Sequence, residues 1–132
     1  NRAVVRAFFA TLERLGSGEE VAALFAADGR QHMPFAPDGF PKLLDGRDAI
    51  ARQYGGLPAA FAHMRFPDLV IRDLAGADEF LATYRSDIAL RSGGKYDNTY
   101  AGRFVVRDGR IAEFHEYFDP IVLQRAFGGA LQ

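Results

Sequence analysis

The sequence predicts an α+β domain, a curved and mostly antiparallel sheet wrapped around N-terminal helices. Three observations predict it. Residues 2–15 carry apolar side chains at helical spacing, with Val4, Val5, Phe8, Leu12 and Leu15 on one stripe. From Phe66 onward the pattern switches to period-two runs bounded by glycine turns. Helices, one strand, a helix and then a meander of strands follow one another without linker, repeat or low-complexity tract, so residues 1–132 read as one domain.

Each element has a local reason. Gly16-Ser17-Gly18 ends the first helix, and Ser17 or Gly18 caps a second over Glu19 to Ala27. Asp28-Gly29 is a turn, and Arg30 to Phe35 reads as the first strand. Ala36 to Asp45 holds Pro37, Asp38, Gly39 and Pro41, which makes a loop. Gly46-Arg47-Asp48 leads into a third helix that runs to about Tyr54, where Gly55-Gly56 breaks it. Leu57 to Met64 adds a further turn or two of helix. Leu69 to Leu74 is a strand. Phe80 to Arg91 is a long one, with Phe80, Ala82, Tyr84, Ser86, Ile88 and Leu90 on one side. Gly93-Gly94 turns the chain into Tyr96 to Val106, and Ile111 to Phe118 completes the meander. Asp119 at the N-cap and Pro120 at N1 start a last helix, which Gly128-Gly129 stops. Helices closing one side of a curved sheet leave a cone with an open mouth, a shape suited to a small ligand.

Composition narrows the function. A net charge of -1 leaves no basic footprint for nucleic acid. No apolar run approaches the ~20 residues that span a membrane. With no signal peptide visible, a cytoplasmic protein is expected. The absence of cysteine excludes disulfides, thiolate metal sites and thiol catalysis. There is no P-loop or dinucleotide fingerprint. His32, His63 and His115 lie far apart, without metal-ligand spacing. No cofactor and no metal are expected.

Chemistry concentrates on the closing strand, where Glu113, His115, Glu116 and Asp119 stand among aromatic residues. Their facing depends on the preceding turn. A two-residue loop at Asp108-Gly109 pairs Asn98 with Asp119 and sets Phe104 opposite Glu113. A three-residue loop from Arg107 with a glycine bulge puts Phe104, Gly102 and Tyr100 on one face with Phe114, Glu116 and Phe118. Arg103 then meets Glu113, and Ala101 meets His115. The second register is preferred, because it separates an apolar face from a charge-complementary one. Glu116 is then the only carboxylate on the apolar face, beside Tyr100, where burial raises its pKa and fits it for proton transfer.

Leu24-Phe-Ala-Ala-Asp28, Gly46-Arg-Asp-Ala-Ile50, Tyr96-Asp-Asn-Thr-Tyr100, Asp108-Gly-Arg-Ile111 and Glu116-Tyr-Phe-Asp119 resemble the SnoaL-like branch of the NTF2-like superfamily. The resemblance covers essentially the whole chain. It implies a cystatin-like cone with a small-ligand pocket, and a homodimer. The superfamily spans ketosteroid isomerases, polyketide cyclases, phenazine-biosynthesis proteins, dehydratases and non-catalytic members. Asp119 resembles the pocket Asp that acts as general base in SnoaL-like cyclases. Glu116 resembles the pocket Glu of the phenazine-type members.

The candidate proton carriers are therefore Glu116, Asp119 and, near the proposed mouth, His32. Asp119 competes with its role as a helix cap. Tyr54, Tyr84, Asn98 and Tyr100 are candidate donors to a carbonyl or enolate. Phe35, Phe61, Met64, Phe104 and Phe118 are candidate apolar walls for a flat or cyclic ligand. The expected function is a cofactor-free isomerase or cyclase that moves a proton on an apolar carbonyl compound. The alternative is a non-catalytic module that holds a small ligand or dimerises.

Overall fold

The computed structural model describes residues 1–127. In chain order the elements are α1 (Arg2–Glu13), α2 (Gly18–Ala22), β1 (Phe25–His32), β2 (Leu43–Asp45), α3 (Arg47–Gly55), α4 (Leu57–Ala60), β3 (Phe61–Arg65), β4 (Val70–Asp73), β5 (Glu79–Arg85), β6 (Asp87–Leu90), β7 (Thr99–Arg107), β8 (Arg110–Phe118) and α5 (Pro120–Phe127). Gly128-Gly129, the expected stop of α5, lies outside the described residues.

Six strands form one sheet in the order β2-β1-β8-β7-β5-β4, and β3 pairs with β6 in a second, two-stranded sheet. All pairings are antiparallel except that of β1 with β8. The large sheet curves without closing on itself. This is the expected α+β architecture.

Several boundaries differ from expectation, each for a tertiary reason. Helix α2 starts on a capping box: Glu20 N–H donates to Ser17 Oγ and Ser17 N–H to Glu20 Oε1, both at 3.1 Å. It ends at Ala22, not Ala27, because Phe25 and Ala26 enter β1 and are buried against β8. Sheet pairing there overrides the helix propensity of the alanines. The first strand is accordingly Phe25–His32 and not Arg30 to Phe35. Phe61 and Met64 lie on a strand that pairs with β6, not on an extended α4. The long strand expected over Phe80 to Arg91 breaks at Ser86. There Ser86 N–H donates to Asn98 O at 3.0 Å, and the chain crosses to the second sheet as β6.

Helix α1 lies on the inner face of the sheet and buries Val5, Phe8, Phe9 and Leu12. Phe8 is the hub of the core. Its ring makes edge contacts with Phe9, Phe25, Tyr54, Phe104 and Phe114 at centroid distances from 5.2 to 6.0 Å.

Candidate functional site

The β7–β8 hairpin sets the site. Asp108 and Gly109 have φ of 53° and 75° and form a two-residue turn, with Arg107 paired to Arg110. Val106 then pairs with Ile111 but Val105 with Glu113, so Ala112 is an extra, bulged residue. Beyond the bulge Phe104 pairs with Phe114, Gly102 with Glu116 and Tyr100 with Phe118. The even-numbered residues share the inner face, as the preferred register requires. The loop and the partners are corrected, however. The loop has two residues, Glu116 stands opposite Gly102, and Arg103 meets His115 where Glu113 was expected. A bulge at two consecutive buried residues, Ile111 and Ala112, restores the parity that a three-residue loop was invoked to supply.

Gly102 opens the way to Glu116. Tyr84, on β5, reaches across β7 above this bare backbone, and its hydroxyl donates to Glu116 Oε2 at 2.7 Å. On the other side Gln31 Nε2 donates a long bond of 3.4 Å to Glu116 Oε1. The Tyr54 hydroxyl donates to Gln31 Oε1 at 2.7 Å, which orients that amide with its nitrogen toward the carboxylate. A Cβ at Gly102 would stand 2.7 Å from Phe114 Cε1 and 3.3 Å from the Tyr84 hydroxyl. Gly102→Ala should therefore cost about 1–3 kcal/mol in urea unfolding, the range for overpacking a filled core.

The electrostatics follow from this enclosure. Glu116 is partly exposed, and what it faces is the cavity. Burial pushes its carboxyl from an ordinary 4.5 up to about 7, against the opposing pull of the Tyr84 hydroxyl bond. Burial also lifts Tyr54 and Tyr84 well above the ordinary phenol value, and the nearby Glu116 adds to the rise. Tyr100 rises through burial and then through Tyr96. These hydroxyls stay protonated and act as donors, not bases.

The cavity has a volume of about 300 Å³. Its walls include Phe61, Met64, Phe66, Ile88, Tyr96, Tyr100, Phe118, Leu123 and Phe127, with Gln31, Tyr54, Tyr84 and Glu116 supplying polar groups. Glu116 is the only carboxylate among the described residues that line it.

Of the residues singled out in the sequence, Glu116, Tyr54, Tyr84, Tyr100, Phe61, Met64 and Phe118 are thus brought together. The others are not. Asp119 does not line the cavity: its Oδ1 accepts from Ile121 N–H at 2.9 Å and Val122 N–H at 3.4 Å, as the cap of α5. Asn98 is a brace, donating to the Tyr96 hydroxyl at 2.8 Å and to Asp119 O at 3.0 Å. Phe104 is fully buried against Phe114, with centroids 4.1 Å apart, below the cavity wall. Phe35 is 55% exposed and rests edge-on against Tyr117. His32 points to the outer face, where it stacks on His115 at 4.4 Å and its Nε2 lies 3.4 Å from Glu113 Oε1. The separation of the histidines in sequence was thus misleading, because parallel pairing of β1 with β8 sets His32 opposite His115.

Gln31 was missed. Its signal lay in the alternation of the first strand: Gln31 shares a face with Met33, and both are buried. His32, one position away, takes the opposite face.

Residues 5–114 match the family model described as a SnoaL-like domain. The chain is 30% identical to the uncharacterized protein YesE of Bacillus subtilis, over 74% of this chain and 67% of YesE. Among solved structures, a proposed isomerase from Bacillus subtilis superposes with a TM-score of 0.86 at 26% identity, covering 96% of this chain and 91% of that one. A phenazine biosynthesis-related protein from Pseudomonas aeruginosa superposes with a TM-score of 0.78 at 21% identity, covering 97% and 80%. No helix among the described residues is long and apolar enough to cross a membrane. The family match, the relative and the shared fold agree, and the chain is a member of the SnoaL-like family of NTF2-like domains.

Proposed function

We propose that the protein is an isomerase- or cyclase-type enzyme that moves a proton on an apolar carbonyl compound, with Glu116 as its general acid and base. The observation that carries this reading is a carboxyl near 7 on the wall of an apolar cavity. Such a group exists in both protonation states at neutral pH, as shuttling a proton requires. Glu116 takes the proton from the carbon beside the carbonyl, and the electron pair moves onto the carbonyl oxygen. Gln31 Nε2 and the Tyr100 hydroxyl are the donors available to the resulting enolate. Glu116 then returns the proton to carbon. Phe61, Met64 and Phe118 hold the apolar body of the substrate and exclude water. The isomerase description of the Bacillus subtilis structure supports the class of reaction.

The test is exchange of α-protons with deuterated solvent on a panel of apolar cyclic ketones. Wild type should catalyse it, Glu116→Gln should lose about 10²–10⁴-fold, and Asp119→Asn should retain it. Equal exchange in wild type and Glu116→Gln would remove the proton-transfer reading and leave the cavity as a binding site. A homodimer belongs to the same proposal. The exposed pair Phe35 and Tyr117, on the outer side of the sheet, supports it. Light scattering should return the mass of two chains, and the mass of one would count against it.

A further inference from the structure

We propose that His32, Glu113 and His115 form a divalent transition-metal site on the outer face of the sheet, on the opposite side from the cavity. The three side chains come from β1 and β8, and each offers one ligand atom within 4.8 Å of the others. Two imidazoles and one carboxylate are a donor set that suits Zn²⁺ and leaves a fourth position open to water. His32 Nε2 and Glu113 Oε1 stand 3.4 Å apart. That is about the separation of two ligands around a tetrahedral ion with bonds of ~2.1 Å.

A second observation points to the same place. Glu113 Oε2 is buried without a hydrogen-bond partner, the only such side-chain atom among the described residues. An unsatisfied carboxylate oxygen is costly, and a cation bound to Glu113 would offset that cost. The neighbouring cations are already engaged. Arg103, opposite His115, pairs with Glu79 at 2.9 Å. Arg30, opposite Glu113, pairs with Asp45 at 3.1 Å.

The geometry also states what must move. The two rings are parallel within 3°, and an ion cannot lie in both planes at once. One ring must tilt out of the stack on binding. His32 is 30% exposed at its side chain and has room to do so. The ion would then tie β1 to β8 where the sheet has its one parallel pairing.

The experiment is calorimetric titration of the chelator-treated full chain with Zn²⁺ near neutral pH, with Co²⁺ absorption as a report of coordination. The expected result is one ion per chain and the visible bands of four-coordinate Co²⁺. His32→Ala, His115→Asn and Glu113→Gln should each weaken binding by about 100-fold, at least as much as losing an outer-shell partner costs. His63→Ala should leave it unchanged, since His63 sits on β3 beside Asp87. Circular dichroism of Glu113→Gln, which preserves side-chain size, and of His115→Asn confirms that these variants fold. Absence of saturable binding to the folded wild type would overturn the proposal. So would unchanged affinity in folded His115→Asn, or an equal loss in His63→Ala.

Discussion

Glu116→Gln should raise the stability of the folded chain above neutral pH and flatten its pH dependence. In the folded wild type the carboxyl titrates at about 7, against an ordinary 4.5 when solvated. Between those values the folded state binds more protons than the unfolded state. Stability therefore falls as pH rises through this window. The contribution is complete below about 4.5 and lost above about 7. At 1.36 kcal/mol per pH unit such a displacement is worth at most about 3 kcal/mol, and partial exposure to the cavity reduces it to about 2 kcal/mol. Glutamine keeps the shape and accepts from Tyr84, but it cannot ionise. Urea unfolding across the pH range should show the wild type weakening toward alkaline pH and the variant nearly level, with curves that converge in acid. Parallel curves would mean that Glu116 is solvated like a surface carboxylate. The same substitution removes the proton carrier of the proposed reaction, so the variant should be more stable and inactive, the usual opposition between stability and a functional site.

Phe8→Ala should cost about 3–5 kcal/mol, the range for emptying a large aromatic position in a packed core. Stabilities of natural domains are only about 5–15 kcal/mol, so this single change brings the chain close to unfolding. The expectation rests on position. Phe8 is 1% exposed and touches five aromatic rings from α1, α3, β1, β7 and β8. One of them is Tyr54, whose hydroxyl orients Gln31 toward Glu116. Loss of the hub should thus loosen the polar chain at the cavity as well as the core. Phe8→Leu fills part of the gap and should cost less than half as much. A cost below about 1 kcal/mol for Phe8→Ala, measured by thermal or urea unfolding, would show that the core does not converge on this ring.

What could be read from the sequence follows from which forces are local. The amphipathic stripe of α1 through Val5, Phe8 and Leu12 and the alternation of β5, β7 and β8 are set by burial on one face, and they were legible, although buried Phe9 was not on the expected stripe and Leu15 lies beyond the helix. Glu116 faces inward as expected, but through a two-residue turn and a bulge in place of the three-residue loop from which that was argued. The bulge at Ala112 was not legible, because Ile111 and Ala112 are both apolar and either can face the core. Non-local pairing was invisible too. Nothing near His32 announces that β1 lies parallel to β8, and that pairing brings His32, Glu113 and His115 together. The run from Leu57 to Met64 is apolar but for His63 and short enough to satisfy either period, and pairing with β6 decides it. Ser86 sits inside an unbroken alternation. Its break depends on Asn98, whose backbone carbonyl accepts from Ser86 N–H and whose own N–H donates to Ser86 Oγ at 2.9 Å.

The site itself is a product of three strands and a missing side chain. β8 carries the acid, β5 sends Tyr84 across, and β1 supplies Gln31. Gly102 on β7 is the gap through which Tyr84 reaches the acid. Burial inside apolar walls pushes the resulting group from the ordinary 4.5 up to about 7. That ionisation behaviour, more than any contact, separates a proton-transfer site from a mere hydrophobic hole. It can be measured directly by following the side-chain carboxyl carbon of Glu116 by NMR through a pH titration of the folded protein, with Glu116→Gln to assign the signal. A midpoint at about 7 is predicted; a midpoint at the ordinary 4.5 would contradict the account.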